Sequence, residues 1–218
     1  GSSALAGLLS ADELAHPVGG REAFEARLAA AGLTPEGILT ARRDPDSLAA
    51  WVEVHIEQGP RLEESGYAIG VVTGIVGIAA YWLKFLGRAD HAGTTPMDRR
   101  QDALRGVAEF VRQSRELVTN RFPMGVMNCG LVEVAPGAFN IVPECARLAL
   151  EFRHPDPGKL DAMREALLSL ALHVVEVEGL ALEVEQVGLD KPAILSRDVI
   201  AAIERGCGVL GLSHTPLI

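Results

Sequence analysis

Cysteine is sparse in this sequence: Cys129, Cys145 and Cys207 are widely spaced and odd in number. With no CxxC pair, neither a zinc finger nor a disulfide framework is supported. A reducing, cytoplasmic setting fits this usage better. Aromatic residues are scarce at 5%, which disfavours an aromatic-lined binder. Long apolar runs are missing: none reaches the roughly 18 residues that a membrane span requires. Basic residues are in deficit, with 20 Lys and Arg against 29 Asp and Glu and a net charge of −9. Nucleic acid and anionic membranes both need cationic side chains to neutralise phosphate, so neither is an expected partner. The first residues, Gly1-Ser2-Ser3-Ala4-Leu5-Ala6-Gly7, lack the basic and long apolar regions of a signal peptide, and there is no initiator Met. The expectation is a chain cut from something longer, or one preceded by tag residues.

What is present is an ordinary globular composition. The chain has 218 residues, 48% apolar and 22% charged, with 23 glycines; this predicts one or two turn-rich α/β domains with a real core. Residues 21–31 read as a short helix with Phe24, Leu28 and Ala31 on one face. From Trp51 to Glu57 the residues alternate, predicting a strand that ends at Gly59-Pro60. Tyr67 to Thr73 reads as a second strand. Beyond Gly77 the pattern becomes compact: a strand over 78–88, a helix over 102–119 and strands over 124–134 and 144–153. A helix opened by Pro157-Gly158 and a strand over 180–187 follow. The first helix has its stripe at Leu104, Val107, Ala108, Val111 and Val118; the second has Leu160, Met163, Leu167, Leu170, Ala171 and Val174. The order βαββαβ is the ferredoxin-like arrangement, two helices covering one face of a four-stranded sheet. The other face and the edges stay open, so self-association is expected. The tail has a turn at Lys191-Pro192 and a short helix near 197–205, and reads as a return into another domain. The predicted boundaries are 1–76, 77–188 and 189–218. No internal repeat or low-complexity segment occurs.

Three segments hold candidate chemistry. His55, in His55-Ile56-Glu57-Gln58-Gly59-Pro60, sits at the end of the predicted strand. Side chains there face the crevice of an α/β sheet, and imidazole is a common zinc-type ligand; a surface histidine is the alternative. His91 lies in the small-residue loop Asp90-His91-Ala92-Gly93-Thr94-Thr95-Pro96-Met97-Asp98, which can aim an imidazole at a substrate oxygen as an oxyanion donor. A plain connection whose Thr or Asp98 caps the next helix is equally compatible. Asn140, in Asn140-Ile141-Val142-Pro143, precedes the strand carrying Arg153. Its planar guanidinium suits a carboxylate, or else pairs with Glu151 or Asp156 nearby.

Taken in order, these strings resemble the N-carbamoyl-L-amino-acid hydrolases and allantoate amidohydrolases. The first seven residues are similar to the stretch after that family's catalytic glutamate pair. His55 to Pro60 with Leu62-Glu63, His91 to Met97, and Asn140 to Pro143 followed by Arg153-His154-Pro155-Asp156 match its blocks in register. The resemblance covers nearly the whole chain. It implies a ferredoxin-like lid, which also dimerises the protein, inserted in an α/β zinc-exopeptidase-like catalytic domain that is incomplete here. It further implies two divalent metal ions (Zn, Mn or Co), a cytoplasmic homodimer and a small carboxylate substrate whose ureido or amide C–N bond is hydrolysed. By the same resemblance His55 corresponds to a metal ligand and Gln58 to a substrate-contacting amide. His91 corresponds to the lid histidine at the scissile carbonyl, and Asn140 and Arg153 to the carboxylate holders. The lid His and Asn act across the dimer interface.

The sequence departs from the family by lacking its upstream metal-binding and Glu-Glu blocks and its downstream Ser-Gly-Ala-Gly-His-Asp block. Only His55 matches a ligand; His154 and His214 do not. As it stands the chain is expected neither to hold the metals nor to turn over substrate. Two other readings compete: a non-catalytic, self-associating binding module, and an aminoacylase or dipeptidase of the same clan.

Overall fold

The computed structural model describes residues 2–218, in two compact units, 1–56 and 57–218. The first holds four short helices: α1 (Ser2–Leu5), α2 (Ala11–Ala15), α3 (Arg21–Ala30) and α4 (Pro35–Leu39). Their starts follow from local chemistry. Ser10 and Glu13 form a capping box on α2, and Thr34 caps α4, where Pro35 takes the first position. The strand expected over Trp51–Glu57 is not formed. These residues are irregular, with Val54 92% and Ile56 85% exposed. A strand exists only through hydrogen bonds to a neighbour, and among the described residues none pairs with this segment.

The second unit begins with α5 (Arg61–Ser65), whose first N–H groups are met by the Glu57 carboxylate at 3.0 and 2.8 Å. Strand β1 (Ile69–Val72) follows, then β2 (Gly74–Ile75), and the chain enters the four-stranded sheet. That sheet consists of β3 (Gly77–Leu86), β4 (Val126–Ala135), β5 (Cys145–His154) and β6 (Ala181–Asp190), in the antiparallel order β4-β5-β3-β6. Helices α6 (Ala103–Arg121) and α7 (Pro157–Glu178) join them, giving the expected ferredoxin-like order. Beyond β6, β7 (Ala193–Ile194) pairs with β2, α8 (Arg197–Leu210) packs on β1, and β8 (His214–Leu217) lies parallel to β1. The helix expected near 197–205 runs five residues further, to Leu210, and Gly211, with a φ of 66°, ends it.

Period-two alternation decides the layers. On β5, Ala146, Leu148, Leu150 and Phe152 point inward while Cys145, Arg147, Ala149, Glu151 and Arg153 face outward. The core is Leu83, Phe85, Leu148, Leu150 and Phe152 against Phe110, Met163 and Leu167, each essentially without exposure. Burying each such side chain stabilises the fold by about 1.5–3 kcal/mol. The α7 stripe matches its expectation, Leu170 being only half-buried. The α6 stripe does not. Ala103, Gly106, Val107, Phe110, Ser114 and Val118 are buried, whereas Leu104, Ala108 and Val111 are exposed. Gly106 sets that rotation, because a Cβ there would lie 2.5 Å from Leu180 and 3.1 Å from Phe85. The helix approaches the sheet through this glycine, and Leu104 and Val111 turn outward.

The outward face of the sheet carries a charged row. Glu133, Arg147, Lys84 and Glu183 form one transverse row in register, with Lys84 bonded to Glu183 at 2.8 Å and Arg147 lying 3.7 Å over the Trp82 ring. The hydrogen bond to Glu183 holds the Lys84 ammonium above its ordinary pKa.

Candidate functional site

His91 and Asn140 are brought together by the backbone. His91 bridges Ile141, Ala92 N–H donates to Asn140 C=O at 2.9 Å, and Val142 N–H donates to Asp90 C=O at 2.9 Å. Both side chains are exposed. Gly93 N–H donates to His91 Nδ1 at 3.1 Å, leaving the ring proton on Nε2 in the neutral imidazole, free to donate outward. The alternative in which Thr or Asp98 caps the next helix does not hold. The cap is Asp102, which accepts from the Leu104 and Arg105 N–H groups at 3.0 and 3.3 Å. Thr94 and Thr95 instead turn back through their own N–H groups to His91 C=O.

Arg153 stands on the same sheet at the opposite end. Leu86, which leads toward His91, is paired with Cys145, whereas Arg153 is paired with Ile78. Eight residues of strand separate Cys145 from Arg153, about 26 Å at the usual rise. Within one chain, Arg153 and the His91–Asn140 pair therefore do not meet. Arg153 Nε and Nη2 both donate to Glu151 Oε1, at 2.8 and 2.7 Å. Asp156, the other acid weighed as its partner, caps α7 instead, accepting from Lys159 N–H at 2.8 Å. One edge of the guanidinium is thus engaged, and among the described residues Nη1 meets no partner. Next to it His154 is buried. Its Nε2–H donates to Pro123 C=O at 3.2 Å and its Nδ1 accepts from Asp156 N–H at 3.0 Å, a structural role.

His55 lies in the first unit, exposed, with Nε2 3.0 Å from Glu53 Oε1; Gln58 lies in the second, also exposed. Among the described residues, no group of three or more His, Cys, Asp or Glu is arranged to hold a metal ion. A zinc-type site needs about three protein ligands, so His55 with its neighbours does not by itself fit one. What these residues supply is hydrogen-bond donors and charge.

Sequence reasoning missed Arg100. It is half-buried and donates to two carbonyls of the His91 loop, those of Ala92 and Thr95. Its only signal is a pair of adjacent arginines, Arg99-Arg100, between a Pro-containing loop and a helix cap.

Residues 73–175 match the peptidase dimerisation domain. The resemblance to carbamoyl-amino-acid and allantoate hydrolases holds well beyond the dimerisation domain. The chain is 36% identical over 98% of its length, and 52% of the relative's, to an N-carbamoyl-L-amino-acid amidohydrolase from Paenarthrobacter aurescens. It is 30% identical to the allantoate amidohydrolase of Escherichia coli K12, over 95% of this chain and 50% of that one. A hydantoinase/carbamoylase family amidase from Burkholderia vietnamiensis superposes with a TM-score of 0.76 at 30% identity, covering 99% of this chain and 52% of its own. The chain thus spans about half the length of the curated relatives it matches. The matched residues 73–175 include His91, Asn140 and Arg153. Among the described residues, no helix is long and apolar enough to cross a membrane.

Proposed function

We propose that this chain is the substrate-closing, dimerising part of a cytoplasmic metal-dependent hydrolase. The enzyme cleaves the C–N bond of N-carbamoyl-L-amino acids or related linear ureides such as allantoate. The observation that carries the reading is the placement of the two half-sites at opposite ends of one sheet, a paired His91 and Asn140 at one and Arg153 at the other. A two-fold axis normal to the sheet exchanges its ends. If edge strand β4 pairs antiparallel with its own copy, β5 of one subunit lies three strand spacings, about 14 Å, from β5 of the other. The partner's His91 and Asn140 then come to the Arg153 end. In this composite site Arg153 and Asn140 hold the substrate carboxylate, Gln58 contacts the substrate, and His91 Nε2–H meets the oxygen of the scissile carbonyl as charge develops on it. His55 is assigned as a metal ligand. Two divalent ions (Zn, Mn or Co) belong to this reading, and no step is drawn through them.

The exposed stripe Leu104, Ala108 and Val111 on α6, the helix packed on β4, supports self-association at this edge. Val111→Glu is expected to convert a dimer of this chain into monomers by light scattering. Leu172→Glu, on the other helix, is expected to leave it dimeric. A monomeric wild-type chain at high concentration overturns the dimer.

Kinetics of the longer protein test the activity. Arg153→Ala is expected to raise KM for N-carbamoyl amino acids or allantoate, lowering kcat/KM by roughly a hundredfold, about 3 kcal/mol. Unchanged kinetics remove Arg153 from the site. Turnover of N-acyl amino acids or dipeptides alone selects the aminoacylase or dipeptidase reading. No turnover of any substrate by a stable dimer selects the non-catalytic binding module, which the match to a dimerisation domain also accommodates.

A further inference from the structure

We propose that Arg100 is the positioning residue of His91, acting through the Ala92–Gly93 peptide group. Arg100 Nη2 donates to the Ala92 carbonyl, and Nε donates to the Thr95 carbonyl at 3.0 Å. The N–H at the other end of the Ala92–Gly93 peptide is the one that donates to His91 Nδ1 at 3.1 Å. A peptide group is planar and trans, with its C=O and N–H pointing in opposite directions. Pinning the carbonyl toward the guanidinium therefore aims the N–H at the imidazole. The charge on Arg100 acts in the same direction. A cation on the carbonyl oxygen polarises the peptide and strengthens its N–H as a donor.

Three further contacts make this a fixed arrangement. A Cβ at Gly93 would lie 3.1 Å from His91 Cε1 and 3.4 Å from Nδ1, so the absent side chain lets the peptide approach the ring. Ala92 N–H is bonded to Asn140 C=O, so the residue held by Arg100 also ties in the second loop. Asp90, an acid within the same loop, is engaged by Arg88 at 2.9 Å, and the Arg100 fork is directed to backbone oxygens instead. The geometry requires a planar fork reaching two carbonyls three residues apart in sequence. A lysine ammonium keeps the charge but not the fork.

The consequence for function rests on the reading of His91 as the donor to the scissile carbonyl, whereas the positioning itself does not. The test uses the 218-residue chain, labelled with nitrogen-15, at a pH where imidazole is neutral. In the wild-type chain, the His91 ring is expected to show an unprotonated, hydrogen-bonded Nδ1 and a protonated Nε2, and the Gly93 amide to be protected from hydrogen exchange. In Arg100→Gln the Gly93 amide is expected to exchange at least about tenfold faster, and the His91 Nδ1 resonance to move toward that of a solvent-exposed imidazole. Arg100→Lys is expected to fall between the two. His154 and the Asp156 amide, bonded to each other far from the loop, report whether each variant remains folded. An unchanged Gly93 amide and Nδ1 resonance in folded Arg100→Gln or Arg100→Lys overturns the proposal.

In the longer protein the same substitutions are expected to lower kcat about 10- to 100-fold with KM little changed, the opposite split from Arg153→Ala. If the NMR changes appear while Arg100→Gln and His91→Ala both leave kcat intact, the functional reading of His91 fails and the positioning stands.

Discussion

At substrate well below the wild-type KM, His91→Ala and Arg153→Ala variants of the longer protein are each expected to be nearly inactive alone, and their equimolar mixture to regain about a quarter of wild-type activity after subunit exchange. The figure follows from the sheet. Leu86↔Cys145 at one end and Ile78↔Arg153 at the other place the two side chains at opposite ends of a strand about 26 Å long within one subunit. If each site takes Arg153 from one copy and His91 from the other, a heterodimer of the two variants has one intact site and one doubly damaged site. Random exchange makes half of the dimers heterodimers. Removal of a single oxyanion donor typically costs 10²–10³ in kcat, so the recovered activity stands far above the background of either variant. A mixture no more active than its components places both residues in one subunit's site, or neither in any. A double variant mixed with wild type provides the control, because its heterodimers hold no intact site.

The fold was largely legible because its signals are local and periodic. Alternation along β5 and the three-to-four spacing along α7 each identify a buried face without reference to the rest of the chain. The α6 stripe was misread by about one position, since Leu104 and Val111 are as apolar as Val107 and Phe110. What selects between the two faces is Gly106, where the helix closes on Leu180 and Phe85, and a glycine inside a helical pattern carries no such message in sequence. The Trp51–Glu57 segment failed for the opposite reason. Its alternation is genuine, but alternation describes what a strand buries, and hydrogen-bonded neighbours decide whether it exists.

The candidate site was legible in part. His91 and Asn140 were singled out from separate loops, and their link through Ala92 and Ile141 became visible only when those loops met. That Arg153 lies at the opposite end follows from antiparallel pairing, which the order of elements already contains: His91 follows β3, while Arg153 closes β5. Arg100 was not legible. Its partners are carbonyl oxygens, which every residue carries, so nothing in the sequence distinguishes it from a solvated arginine.

Gly87→Ala is expected to destabilise the 57–218 unit by about 2–4 kcal/mol, lowering its melting temperature by roughly 4–16 °C. A Cβ at this position would lie 2.0 Å from the Gln101 carbonyl oxygen and 2.9 Å from its carbon, so the clash is with backbone and no side-chain rotamer relieves it. Neither segment is free to move. Gly87 N–H is bonded to Glu144 C=O at 2.8 Å, and Arg88 N–H to that same Gln101 oxygen at 2.9 Å. Gln101 also precedes Asp102, the cap of α6, and its side chain donates to Gly179 C=O at 2.7 Å. Relief of the overlap must therefore shift the exit of β3, the start of α6 or both, and the His91 loop is strung between them. Gly188→Ala is the matched control: a Cβ there meets nothing within 4 Å, and the expected change is within about 0.5 kcal/mol. Denaturant or thermal unfolding of the two variants decides the matter. Equal stabilities contradict a tight crossing at Gly87, whereas a loss confined to Gly87→Ala identifies the contact that joins the sheet to the loop bearing His91.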